Sequence, residues 1–309
     1  MAWVTTIVYS VSPRLRGIAA IVLAVFLLSL SDALVKLAGD RFGLAQLILL
    51  RSLVAGGLIG AGFWIVSGLR ALRAKRLGWV SARSLCLTAM WATYYAALPS
   101  MSFALAAACY YTAPIWMALM ARFWLGVAIG TNGWAAIGLS SLGVLLAVNP
   151  AVEQSTFAVL LPLAAAMFYA LAGTITWRWC RNETAGAMAF NLNLCLVAVA
   201  GLGILALSLF RPGDGEGFVL ALWPELSAPD FSLAVILGVL LAFITTTVAL
   251  AYRLAPTPLV GIFDNSYLGF AALWSALLLA DTLNPGEAAG IVLIAAGALL
   301  MSRRNTTKE

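Results

Sequence analysis

Residues Tyr94–Gly126 read YYAALPSMSFALAAACYYTAPIWMALMARFWLG, and residues Ala251–Met301 read AYRLAPTPLVGIFDNSYLGFAALWSALLLADTLNPGEAAGIVLIAAGALLM. Both begin on aromatic residues and cross a short turn that holds proline. Both continue as a helix of small and aromatic residues. A second turn then leads to a Gly/Ala-rich helix, which in the first case is GWAAIGLSSLGVLLAV, ending at Val148. One pattern occurring twice predicts a chain built from two halves, 1–150 and 151–309.

The composition says what solvent the halves need. The chain is 63% hydrophobic and 10% charged, where soluble domains carry about 25% charged residues. Lipid is the solvent this implies, and no polar stretch is long enough for a separate soluble domain. A spanning helix needs about 20 mostly apolar residues. Ten such runs stand near 17–37, 43–66, 80–98, 101–124, 131–149, 157–179, 185–209, 231–253, 257–280 and 286–302. The mixed residues 1–16 precede the first run without a small-residue cleavage site, so that run reads as a retained span.

Orientation follows the bias of Lys and Arg towards the cytoplasmic side. The second connection holds Arg70, Arg73, Lys75 and Arg76; alternation from there puts Arg122, Arg178, Arg181 and Arg253 on the same side. Arg14, Arg16, Arg303, Arg304 and Lys308 also fall inside, so both termini are expected to be cytoplasmic. Glu153, Asp214, Glu216, Glu225, Asp230, Asp281 and Glu287 fall outside. Ten spans divide into five and five, and an odd number per half sets the halves in opposite senses. Inverted repeats of this kind are typical of alternating-access carriers, with a site near the midplane between the halves.

The order of these elements resembles the drug/metabolite transporter superfamily, in its ten-helix EamA-type branch. LSLSDALVKLAG (Leu28–Gly39) and AQLILLRSLVAGGL (Ala45–Leu58) carry the likeness, with Tyr94–Gly126 and SYLGFAALWSALLLADTLNPGEAAGIVLIAAGALL (Ser266–Leu300). Two departures stand out. The family's acid after the fourth helix is replaced by Gly126-Val127, although Asp281 holds the matching place after the ninth, and the second-half proline corresponds to about Phe270. The resemblance, which extends to bacterial aromatic amino-acid exporters, implies export of small metabolites across a bacterial inner membrane, without a cofactor.

Ionisable residues at membrane depth cost about 2.5–3.5 kcal/mol each on insertion scales, so each needs a reason. Four qualify: Asp32, Lys36, Arg51 and Asp264. Asp32 and Lys36 are spaced to share a helix face and pair. Arg51 on the next helix lies at similar depth, so an Asp32–Arg51 pair would neutralise both. The trio reads either as a structural ion cluster or as a contact for a charged substrate group or a coupled proton. Asp264 has no base within a helical turn, and its face continues through Tyr267, Ala271, Trp274 and Ser275. Its carboxyl is either satisfied by helix packing or part of a cavity wall with Asn265. Trp91, Tyr94, Tyr95, Tyr111 and Tyr169 are further cavity candidates, and Pro114 is a candidate hinge because proline removes an intrahelical hydrogen bond. Gly56–Gly60 and Gly286–Gly290 have the GxxxG spacing that lets helices approach, within the chain or in a homodimer.

Other function classes find little support. The net charge of +6 is spread between apolar runs, which argues against nucleic acid as a partner. The absence of histidine removes His-based catalysis and the commonest transition-metal ligand. Cys86, Cys109, Cys180 and Cys195 form no close-spaced pair and read as free thiols, so no metal site is expected. There is no GxxxxGK[ST] motif for ATP. The expected activity is secondary transport of an amino acid, with a lean to aromatic or bulky apolar side chains. The alternative is a nucleotide-sugar or sugar-phosphate carrier, which would want bases such as Arg51 and Lys36 in its cavity. Whether a proton moves with the substrate is left open.

Overall fold

The computed structural model describes residues 13–39, 41–66, 68–126, 130–148, 157–180, 182–210, 217–254, 263–280 and 285–303. Both chain ends lie outside the described residues, as do Glu153, Arg181, Asp214, Glu216, Asp281, Arg304 and Lys308.

Helices stand at the ten expected places. They are α1 (Pro13–Leu37), α2 (Leu44–Val66), α3 (Leu77–Ala97), α4a (Phe103–Tyr110), α4b (Ala113–Leu125), α5 (Thr131–Val148), α6 (Leu160–Trp179), α7 (Ala185–Phe210), α8 (Ala228–Leu254), α9 (Ser266–Leu278) and α10 (Pro285–Arg303). Among the described residues, five segments are long and apolar enough to cross a membrane: 15–37, 44–66, 103–124, 185–210 and 228–248. Shorter apolar stretches lie at 133–146, 160–176, 266–278 and 285–297. The large apolar side chains left exposed, among them Trp64, Ile65, Phe123, Leu145, Leu202, Phe243 and Val292, form the surface that lipid solvates.

Local chemistry explains the helix ends. Ser102 N-caps α4a, its Oγ accepting from the Leu105 amide at 3.2 Å. Thr184 does the same for the Ala187 amide at 3.1 Å near the start of α7. At the start of α8, the Asp230 carboxylate accepts from the Ser227 amide at 3.2 Å, and the Asp230 amide donates to Ser227 Oγ at 3.4 Å. That reciprocal arrangement satisfies two amides the helix leaves unpaired.

The fourth span is broken, where the sequence predicts one helix. Tyr111 and Thr112 form a turn between α4a and α4b, closed by the Tyr111 amide to Ala107 O at 2.9 Å. Pro114 therefore does not kink a continuous helix. It lies in the first turn of α4b, where a missing amide proton costs no hydrogen bond. The ninth span is interrupted in the same region: Asn265 is a turn residue immediately before α9.

Helix pairing has a regular form. α5 packs on α10, α2 on α7, and α4a on α9. α3 packs on α6, as α8 packs on α1; α2 packs on α8, as α7 packs on α3; α4b packs on α6, as α9 packs on α1. Moving every helix five places along the order returns each of these pairs, although the packing of α4a on α5 and α10 has no comparable counterpart at α9. Small residues permit the approaches. A Cβ on Gly143 would stand 2.8 Å from Gly290 O, and one on Gly238 would stand 2.8 Å from Arg51 O. Gly56 and Gly60 face Asn193 and Phe190 of α7, so the first GxxxG spacing serves a contact within the chain, and Gly290 of the second faces α5.

Candidate functional site

The charged residues converge with the tyrosines where α1, α2, α3, α4 and α9 meet. Asp32, on α1, is almost fully buried. Its carboxylate accepts from Tyr95 Oη at 2.9 Å and from Tyr267 Oη at 2.6 Å. Arg51, on α2, is also fully buried and donates through a guanidinium nitrogen to Tyr95 Oη. The expected direct Asp32–Arg51 pair is therefore bridged: Tyr95 stands between them, accepting from one and donating to the other. A phenol suits this place because its hydroxyl does both. The i, i+4 pairing of Asp32 with Lys36 does not carry the cluster either. Lys36 Nζ donates to Met101 O at 2.5 Å, which ties the end of α1 to the turn before α4a.

The Arg51 guanidinium also lies over two rings, 4.5 Å from the centre of Trp91 and 4.7 Å from that of Tyr95. These two cation–π contacts offset part of the cost of burial. Its Nε and second terminal nitrogen are buried without an acceptor among the described residues.

The remaining aromatics join this centre edge by edge. Tyr94 and Tyr267 share a hydroxyl contact at 3.3 Å. Tyr111 stacks on Tyr267, with centroids 5.0 Å apart and planes 21° apart, and its hydroxyl donates to Asp264 O at 3.3 Å. Tyr110 touches Tyr94 at 5.3 Å, Tyr111 at 5.5 Å and Tyr169 at 5.5 Å. Among the described residues no hydrogen bond or ion pair reaches the Asp264 carboxylate. Asn265 is the residue before α9 and makes no side-chain capping bond there. Trp274 lies further along α9, where its Nε1 donates to Ser29 Oγ at 3.1 Å and its ring meets Phe26 at 5.3 Å. The structure thus brings Asp32, Arg51, Trp91, Tyr94, Tyr95, Tyr111, Tyr169, Asp264 and Tyr267 into one neighbourhood. It places Lys36 and Trp274 at its margins, on α1 contacts.

Sequence reasoning gave too little weight to two residues. Tyr110, a mid-span aromatic beside Tyr111, joins three of the other tyrosines. Arg83 donates from Nε to Thr176 Oγ1 at 2.8 Å across α3 and α6. One of its terminal nitrogens is buried without an acceptor among the described residues. Beyond the Asp32 end of the cluster, a cavity of about 200 Å³ is lined by Val35, Lys36, Gly39, Leu98, Pro99 and Phe218. Among the described residues no group of three or more Cys, Asp or Glu side chains could hold a metal ion.

A buried, hydrogen-bonded acid and base inside an apolar-surfaced bundle define a multi-span helical membrane protein. Residues 15–149 match the model of the EamA-like transporter family. A solved structure described only as "Crystal structure of protein" superposes with a TM-score of 0.62 over 96% of this chain and 99% of that one. At 18% identity it shows a shared fold. No curated protein matches the chain.

Proposed function

We propose that this protein is a secondary transporter of the bacterial inner membrane that exports amino acids, with a preference for aromatic or bulky apolar side chains. Two inverted five-helix repeats, 1–150 and 151–309, move against each other around the tyrosine cluster. The five-place regularity of the helix pairs supports the repeats. The family match of residues 15–149 supports transport of a small molecule.

The observation that carries the substrate class is a pair of unmet charges beside one aromatic wall. Among the described residues, Arg51 has buried N–H donors without acceptors, and the Asp264 carboxylate is in no hydrogen bond or ion pair. A zwitterion answers both: its carboxylate suits a guanidinium and its ammonium suits a carboxylate. The tyrosines between them suit a flat apolar side chain. Sugar phosphates fit less well, because Lys36, the second base they would want, is engaged by Met101 O. Asp32 and Asp264 are the groups that would carry a proton if transport is coupled to one.

The test is counterflow into proteoliposomes loaded with phenylalanine, tyrosine, alanine or a nucleotide sugar. Phenylalanine or tyrosine should exchange well above protein-free vesicles, and Asp264→Asn should lower that exchange at least about tenfold, as expected for a lost charged contact. The variant should keep its melting temperature. Exchange of the nucleotide sugar alone, or wild-type exchange by Asp264→Asn, would overturn the reading.

A further inference from the structure

The connection between α2 and α3 is built into the protein. Its backbone is held by Glu183, whose two carboxylate oxygens accept the Lys75 amide at 2.9 Å and the Arg76 amide at 2.8 Å. Thr184 Oγ1 adds a bond to Ala71 O at 2.8 Å. The connection therefore lies against the start of α7, and between the two is a groove of about 700 Å³. Its rim carries Arg70, Arg73 and Lys75, all exposed, and among the described residues no ion pair joins them to an acid. Its floor is Phe190, Asn191 and Leu194 of α7.

Charge and depth together define the occupant. Phe190 and Leu194 lie five and nine residues beyond Ala185, about 8 and 14 Å along the helix. Leu194 is 52% exposed, on the surface that faces lipid. The groove thus offers three cations at its mouth and an apolar wall that descends along a membrane helix. At the same end of the bundle Trp79 stacks on Trp179 with centroids 4.1 Å apart. Tryptophans of this kind mark headgroup level. A free phosphate would use the cations and leave the apolar wall wet.

We propose that this groove is a binding site for an anionic phospholipid, whose headgroup phosphate lies among Arg70, Arg73 and Lys75 and whose acyl chain runs over Phe190 and Leu194. Basic pockets at the cytoplasmic face are suited to such headgroups. The site is separate from the tyrosine cluster, and binding at it is measured without transport.

Native mass spectrometry of the purified full chain tests this, with phosphatidylglycerol or phosphatidylcholine added in detergent. Phosphatidylglycerol should remain bound and phosphatidylcholine should not. Each of Arg70→Gln, Arg73→Gln and Lys75→Gln should weaken phosphatidylglycerol binding about fivefold, the effect of about 1 kcal/mol per basic residue. Leu194→Gln should weaken it with all three charges in place. Arg122→Gln, at another connection, should change nothing. Excess inorganic phosphate should fail to displace the lipid. Displacement by phosphate would make the groove a free-anion site, and equal retention by the three charge variants would overturn the proposal. Melting temperature and elution volume of each single variant separate loss of lipid from loss of fold.

Discussion

At the scale of single residues, Tyr95 is the hinge of the electrostatics. Removing its hydroxyl leaves Asp32 short of one donor and Arg51 short of its acceptor, both fully buried. Hydrogen bonds to charged groups contribute about 1.5–3 kcal/mol each, so Tyr95→Phe should cost about 3 kcal/mol in detergent unfolding. Tyr94→Phe, which loses only a 3.3 Å contact between hydroxyls, should cost under about 1 kcal/mol. Asp32→Asn and Arg51→Gln should be coupled by about 1–3 kcal/mol, the double variant being less damaged than the sum. Because Tyr95 transmits that coupling, it should shrink in the Tyr95→Phe background. Additive losses would show that the two charges are independent. The sequence told that Asp32 and Arg51 lie at one depth, since the register of two adjacent spans fixes it. It could not tell that a phenol from α3 stands between them. That depends on how a third helix packs, and spacing along the chain carries no such information.

At the scale of elements, the contact between α5 and α10 rests on bare backbone. A methyl at Gly143 would meet Gly290 O at 2.8 Å and the Ile294 amide nitrogen at 3.0 Å, neither of which can swing aside. Gly143→Ala should therefore cost about 1–3 kcal/mol, the range for overpacking. Gly138→Ala, on the same helix with nothing within 4 Å, should be near neutral. Thermal unfolding of both variants decides this, and equal melting temperatures would mean the two helices are less tightly seated. Helix existence was legible almost everywhere, because a run of about 20 apolar residues has few other fates. The break in the fourth span was not. Pro114 pointed to an irregularity, but the same residue kinks a helix from within or begins one, and only the observed turn at Tyr111–Thr112 separates these. Capping by Ser102 is the local signal that marks where α4a starts.

At the scale of the whole molecule, the alternation of basic and acidic connections makes a topological prediction. In a background lacking native cysteines, Arg73→Cys should react with an impermeant thiol reagent only from the cytoplasmic side, and Ser100→Cys only from outside. Both positions are exposed, so accessibility does not confound the result. The opposite labelling would invert the orientation. Doubling of the pattern was visible in the sequence because Tyr94–Gly126 and Ala251–Met301 share their order of aromatics, turns and small residues. Which helices of one proposed half touch which of the other was not, since a sequence pattern does not state its own docking. One contact has a bearing on motion. With Pro114 set against Phe270, Tyr111 falls against Tyr267, the residue it stacks on. A pair that relates a residue to its own counterpart lies at the axis between the proposed halves, where rotation displaces atoms least. The Asp32–Tyr95–Arg51 chain lies off that axis, and between Leu160 and Thr176 its opposite number α6 offers no acid. Rocking would then turn on the tyrosine stack as a fulcrum while the ionic chain acts as a one-sided catch. The two end states would be unequal in energy, and a carrier weighted in this way idles facing one side until its cargo releases it.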